Sequence, residues 1–175
     1  MKREIKFKIE TFAKKYCDKS KEDPFLWKEH TQFVKKYSLK LAKIENANRD
    51  VLIAASLLHD IGKDKGRKDH NVRGYELSKK FLKNIDIEDK ELILKCILKH
   101  SSKFSKENNE TEVKVIQCAD ALAVLFDDRW QKYSRENYSK KELLFLYNKT
   151  FNKINLKSAK KIAEPQIKKL KKFIP

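Results

Sequence analysis

All three glycines of this chain, Gly62, Gly66 and Gly74, fall within thirteen consecutive positions, and only three prolines occur in its 175 residues. Turns and bulges consume both residue types, so this scarcity disfavours a turn-rich β architecture and favours long helices. Chain freedom is concentrated in one place, directly after the string Leu57-Leu58-His59-Asp60-Ile61. The length suits a single domain, 1–175, able to bury roughly two-thirds of its unfolded surface.

Apolar spacing predicts helices throughout. The first runs from Ile5 to about Cys17, and Asp23-Pro24 supplies a cap and a first residue for the next. In that second helix Leu26/Trp27, His30, Phe33/Val34, Tyr37, Leu41 and Ile44 form one stripe. Val51 to His59 is nearly all apolar and predicts a buried helix, followed by a charged loop over 61–69. A fourth helix is expected from near His70 to about Leu82, with His70, Gly74, Leu77 and Phe81 on one side. A fifth opens at Asp86, with Leu92, Ile93, Cys96, Ile97 and His100 inward. Polar residues 101–111 predict a surface loop suited to a mobile lid. Glu112 to about Tyr133 reads as one long helix carrying Asp120. Ser139 and Glu142 form a capping box for a helix to about Phe151, and a basic helix spans roughly 157–173, interrupted at Pro165.

Composition excludes several classes. No stretch approaches the roughly 20 apolar residues of a spanning helix, and no apolar core follows Met1-Lys2-Arg3-Glu4, so a cytoplasmic protein without a membrane partner is expected. Cys17, Cys96 and Cys118 are odd in number and widely spaced, which argues against both a disulfide framework and a cysteine zinc site. The formal charge of +17 comes from 36 lysines and only six arginines. Lysine lacks the planar fork used for base and phosphate readout, so the basic C-terminal segment reads as a solvated face before it reads as a nucleic-acid surface.

The chemistry-bearing residues are few. The chain has four histidines, His30, His59, His70 and His100, and two acids stand out, Asp60 beside His59 and Asp120 inside Ala119-Asp120-Ala121-Leu122-Ala123-Val124. Taken singly, His30 and His100 read as hydrogen-bonded core histidines and His70 as a surface residue. Asp120 reads equally as a metal ligand or as half of a salt bridge to a lysine. An isolated buried carboxylate is very costly, and proteins pair it, coordinate it or protonate it. Adjacent side chains on a regular helix point about 100° apart, so His59 and Asp60 can grip one ion only at a distorted helix end, which Gly62 suits. Imidazole and carboxylate donors suit divalent transition metals. A shared hydrolytic metal site accounts for all six residues at once.

The order His30, His59-Asp60, Asp120, with the string His59-Asp60-Ile61-Gly62-Lys63, resembles the HD-domain superfamily of metal-dependent phosphohydrolases over residues 25–130. The resemblance implies an all-α, single-domain bundle of about seven to eight helices, with a metal-binding core at 25–130 and C-terminal helices at 139–175 packed on it. It implies one divalent ion on His30, His59, Asp60 and Asp120. In the two-metal subset it implies a second ion on Asp60, His70 and His100, the metals being Mn, Fe, Co, Ni, Mg or Zn. Asp60 and Lys63 are then expected to be catalytic; Lys63 reads equally as a phosphate-neutralising group or one loop lysine among many, and Arg73 as a phosphate-binding group or a solvent-exposed helix residue. The chain departs from the two-metal pattern in the short interval of ten positions between Asp60 and His70. It lacks the Gly-Tyr-Pro signature of cyclic-dinucleotide phosphodiesterases and carries Ser101 after His100, which argues against that substrate class. A phosphorylated, nucleotide-like small molecule is the expected partner, with nucleic acid less favoured. The competing functions are a di-iron oxygenase on the same fold and a basic nucleic-acid-binding module with a non-catalytic metal site.

Overall fold

A computed structural model describes residues 1–21, 23–107 and 109–172. Among these residues there is no strand, and nine α-helices run in chain order. They are α1 (Arg3–Cys17), α2 (Gln32–Glu45), α3 (Arg49–Leu58), α4 (His70–Leu82), α5 (Lys90–Lys99), α6 (Thr111–Leu125), α7 (Asp128–Asn137), α8 (Lys140–Asn152) and α9 (Lys157–Lys171). The all-α expectation holds, with one or two helices more than the seven to eight expected. None of the helices is long and apolar enough to cross a membrane.

The centre is built on α3 and α6, because these two helices are apolar on nearly every side. Every residue of α3 from Val51 to Leu58 is buried, and α6 buries Val113, Val115 to Ala119 and Ala121 to Ala123 as well as Leu125. Each fully buried leucine, such as Leu52, Leu57 or Leu58, contributes about 2 kcal/mol by leaving water. A helix apolar all round must be surrounded. Accordingly α6 packs against α2, α3, α5, α8 and α9, while α3 packs against α1, α2 and α5. On the outside, Phe12 of α1 stacks on Phe81 of α4 with ring centroids 3.9 Å apart.

The entry to α3 is fixed by Asn48, whose side-chain oxygen accepts from the backbone N–H of Asp50 and Val51 at 3.0 and 3.2 Å. These are orphan donors of the first turn. The same asparagine donates to Asp89 ahead of α5, and its backbone N–H to Glu112 of α6. One residue thus ties the starts of three helices together.

Four local expectations needed correction. The chain does not enter α2 at Pro24: a π-helical turn, Leu26–Thr31, comes first. It shifts the register, so that Leu26, His30, Val34 and Leu41 are buried while Ile44 is exposed. The buried face of α4 is Asn71, Gly74, Ser78 and Leu82, one position round from the stripe read in the sequence. The fifth helix starts at Lys90 rather than Asp86. The long helix expected through Tyr133 is broken between α6 and α7, because the Asp127 carboxylate caps a new helix by accepting from the Trp130 N–H at 3.0 Å.

The charged loop after Asp60 tightens into a 3-10 turn, Ile61–Lys65. Residues 101–111 contain a second one, Ser102–Phe104, and position 108 within that loop lies outside the described residues. The Ser139–Glu142 capping box is present in both directions. Pro165 sits inside α9, and the last position of the helix expected there, Phe173, lies outside the described residues. All three cysteines are buried and unbridged.

Candidate metal centre

Each of the four histidines reaches the interior from an irregular or terminal piece of helix. His30 lies in the π-helical turn, a geometry in which one extra residue enters the helical repeat and which recurs at functional sites. His59 is the residue that closes α3, with its N–H still bonded to Ala55 O at 2.9 Å. Asp60 follows with φ −109° and ψ 7°, a sparsely populated bridge conformation. That departure from helical geometry removes the 100° offset between adjacent side chains, and both turn to one point. His70 opens α4, His100 closes α5, and Asp120 projects from the middle of α6.

The short Asp60–His70 interval is closed by glycine. A Cβ on Gly62 would lie 2.1 Å from the His70 carbonyl oxygen and 2.7 Å from the Gly74 nitrogen, so only a residue without one allows this approach.

The six side chains form two triads around a shared carboxylate. His30, His59 and Asp120 present ligand atoms all within 4.8 Å of one another, and Asp60, His70 and His100 do the same. Asp60 Oδ2 faces the first triad, 3.2 Å from His30 Nε2 and 3.2 Å from His59 Nε2. Asp60 Oδ1 faces its own triad, 3.3 Å from His70 Nε2 and 3.6 Å from His100 Nε2. Asp120 Oδ1 is 3.1 Å from His30 Nε2. His59, Asp60 and His100 are at most 2% exposed.

Three of the rings are locked by carbonyls of their own helical turns. The Nδ1 atoms of His59, His70 and His100 lie 2.8, 2.7 and 2.7 Å from the carbonyl oxygens of Ser56, Arg67 and Ile97. A carbonyl can only accept, so each Nδ1 donates to it and each Nε2 is the ring atom turned inward. The consequence is electrostatically unusual. His70 Nε2 and His100 Nε2 approach to 3.0 Å with lone pairs facing, and Asp60 Oδ1 is buried with no hydrogen-bond partner. Facing acceptors and an orphaned carboxylate oxygen call for a cation between them. The donor set, imidazole nitrogen with carboxylate oxygen, is the one divalent transition metals take.

Protonation follows the same logic. Burial holds the His100 imidazole neutral, lowering it from 6.5 to about 4 against the pull of Asp60, and lowers His70 as well. Burial also opposes charge on His30, but hydrogen bonds to Asp120 and Asp60 outweigh it and lift that imidazole to about 9. Both carboxylates stay well below their ordinary range in spite of burial: Asp60 through His59 and Lys63, Asp120 through Lys153 and His30. Positive charge is thereby held where the two carboxylates meet.

The sequence-derived residues divide clearly. His30, His59, Asp60, His70, His100, Asp120 and Lys63 come together, and the Lys63 ammonium lies 2.5 Å from Asp60 Oδ2. Arg73, expected at the substrate, faces another way. Its Nε donates to Gly62 O at 3.0 Å, and its two terminal nitrogens donate to the carbonyls of Lys68 and Gly66. These contacts make it a clamp on the 62–68 loop, and it does not line the cleft over the centre.

Sequence reasoning missed Lys153. It follows α8, is buried, and pairs its ammonium with Asp120 Oδ2; nothing set it apart among 36 lysines. Reasoning also missed Asn71 and Gln117, whose amides bond the carbonyls of Leu98 and Lys99 at 2.8 and 2.7 Å and so hold the end of α5 that carries His100. A buried glutamine in the apolar run Val115-Ile116-Gln117-Cys118 was a readable signal of such a role.

The centre opens into a cleft of about 950 Å³. Five cations, Lys63, Arg67, Arg129, Lys149 and Lys153, line it with four aspartates, Asp23, Asp60, Asp120 and Asp127, and Trp130, Tyr133 and Tyr138 add an aromatic wall. The three rings pack on one another with centroids 6.0 to 6.1 Å apart. Arg129 sits 4.2 Å over the Phe25 ring and is ion-paired with Glu29 and Asp127.

A family model of the HD domain matches residues 27–125, a span that contains all six converging side chains. The chain belongs to the HD-domain family, a superfamily of metal-dependent phosphohydrolases whose members bind divalent ions. No curated protein and no solved structure matches it significantly.

Proposed function

We propose that this protein is a divalent-metal-dependent phosphohydrolase that cleaves a nucleotide-like phosphoester with activated water. The observation that carries this reading is the position of Asp60, one carboxylate oxygen turned to each of two histidine-containing triads. His30, His59, Asp60 and Asp120 would hold one ion, and Asp60, His70 and His100 a second. A divalent ion held there would acidify a bound water and offset charge on the phosphoryl oxygens.

The chain's own groups supply the rest. Carbonyls of Ser56, Arg67 and Ile97 keep three imidazoles aimed with Nε2 toward the centre. Lys63 and Lys153 pair with Asp60 Oδ2 and Asp120 Oδ2 and line the cleft, where an ammonium stabilises a substrate phosphate. The aromatic wall at Trp130, Tyr133 and Tyr138 suits a planar base stacked in the same cleft as the phosphate. This cation-lined, aromatic cleft favours a phosphoester over the uncharged substrates that an oxygen-activating centre would equally admit.

The test is metal analysis together with a phosphomonoester and phosphodiester panel, run on metal-stripped protein with Mn, Co, Ni, Mg and Zn supplied separately. Asp60→Asn, which keeps the side-chain shape, should remove bound metal and abolish turnover while leaving the helical circular dichroism unchanged. Full hydrolysis by that variant would defeat the assignment, and oxygen consumption by the iron-loaded protein would replace it with oxidative chemistry.

A further inference from the structure

A second concavity runs out of the metal cleft along the outside of α8. This groove, about 540 Å³, is lined by Lys103, Ser105, Lys106, Phe145, Asn148 and others, and Ser102 and Lys149 line both it and the cleft. Its three lysines are exposed, and none of its lining residues is acidic. The nearby Glu107 turns away to Lys99, at 2.6 Å. Phe145 is 67% exposed, among the most exposed large apolar side chains described. An aromatic ring in water among exposed lysines has no role in the core. It is the pairing used to hold single-stranded nucleic acid, with ammonium groups along the backbone and a ring face for a base.

Resting on the phosphohydrolase reading, we infer that the substrate is longer than a mononucleotide. It is a single-stranded polynucleotide, with one phosphodiester at the metal centre and the adjoining nucleotides running past Lys149 onto Lys103, Lys106 and Phe145. Cleavage consumes one water: its oxygen bonds to phosphorus, the ester P–O bond breaks, and the departing sugar oxygen takes up a proton. Continuity is what distinguishes this groove from the many other lysines of the chain. Ser102 and Lys149 line both cavities, so the two adjoin, and a strand leaving the cleft at these residues comes next to the cations and the aromatic face of the groove.

Steady-state hydrolysis of DNA and RNA oligonucleotides from dinucleotide to octanucleotide tests this, with bis(p-nitrophenyl) phosphate as the small ester. The specificity constant should rise with length and then level off. Lys103→Glu with Lys106→Glu should flatten that rise and leave bis(p-nitrophenyl) phosphate hydrolysis unchanged. The same pair should reduce the slope of log affinity against log salt by about 1.4, at roughly 0.7 per phosphate contact on a single strand. Phe145→Ser should weaken octanucleotide binding about fivefold or more. All of these residues are exposed, so the variants should fold.

Equal specificity constants for dinucleotide and octanucleotide, or groove variants that bind and cleave the octanucleotide like the parent, would overturn the inference while leaving the hydrolase standing. If the parent turns over no phosphoester at all, the hydrolase reading fails instead. Fluorescence anisotropy of a labelled oligonucleotide then decides the groove by itself: binding lost in the lysine pair supports it, and equal binding refutes it. A rise with length for RNA but not DNA, or the reverse, identifies the strand.

Discussion

The ammonium of Lys153 rests on the carboxylate of Asp120, joining the turn after α8 to the middle of α6. Both side chains are largely buried, at 10% and 14% exposure, so neither charge is fully hydrated. Removing one member of such a pair costs about 3–5 kcal/mol, mostly through the charge left behind. Lys153→Met should therefore lower the stability of metal-stripped protein by about 3 kcal/mol in urea denaturation, His30 compensating the remainder. With a divalent ion present the loss should shrink, because the ion neutralises the same carboxylate. An identical loss in both conditions would show that Lys153 matters only as packing.

The second triad is testable without an activity assay. His70→Ala and His100→Ala should each lower the metal-to-protein ratio of the loaded protein without unfolding it. His70 is the gentler test, being partly exposed at a helix start, whereas His100 is only 2% exposed. Unchanged stoichiometry in both variants would confine binding to His30, His59, Asp60 and Asp120.

Two glycines near the centre should respond in opposite ways to the same added methyl group. At Gly62 a Cβ would meet the His70 carbonyl oxygen at 2.1 Å, so the backbone must move, and Gly62→Ala should cost about 3 kcal/mol or more. At Gly74 the nearest atom is the His59 carbonyl oxygen at 3.4 Å. Gly74→Ala should be tolerated to within about 1 kcal/mol, since alanine's helix propensity offsets the contact. Thermal denaturation of the two variants side by side checks this, and equal losses would contradict it.

Arg73 is expected to act on the loop and not on substrate. Arg73→Ala removes donors from the carbonyls of Gly62, Gly66 and Lys68. Trypsin should then cleave faster within 63–68, while KM for a phosphoester changes less than threefold or so, under about 0.7 kcal/mol. A large rise in KM with unchanged proteolysis would restore the phosphate-binding role first read from the sequence.

The legibility of this molecule in its sequence followed the physics of each signal. The helices came through because their apolar periods are long, and the Ser139–Glu142 box because it is local chemistry. The converging residues came through because histidine is scarce here and an aspartate in an apolar helix demands an explanation. Asp120 allowed two readings, ligand or salt bridge; it is paired with Lys153 and also grouped with His30 and His59. What stayed hidden depends on geometry that no period records. Lys153 is one lysine among 36, and its depth is decided by how α8 hands over to α9. The break after α6 rests on a single capping carboxylate, Asp127, in a stretch whose apolar spacing reads straight through it.

The widened turn at Leu26–Thr31 makes chain length a variable in its own right. Deleting one residue there would tighten the backbone to ordinary α geometry and rotate whatever precedes Gln32 by about 100°. The imidazole of His30 would swing off axis with every ligand still encoded. Insertions and deletions, more than substitutions, are thus the lesions to which this corner of the centre is most exposed.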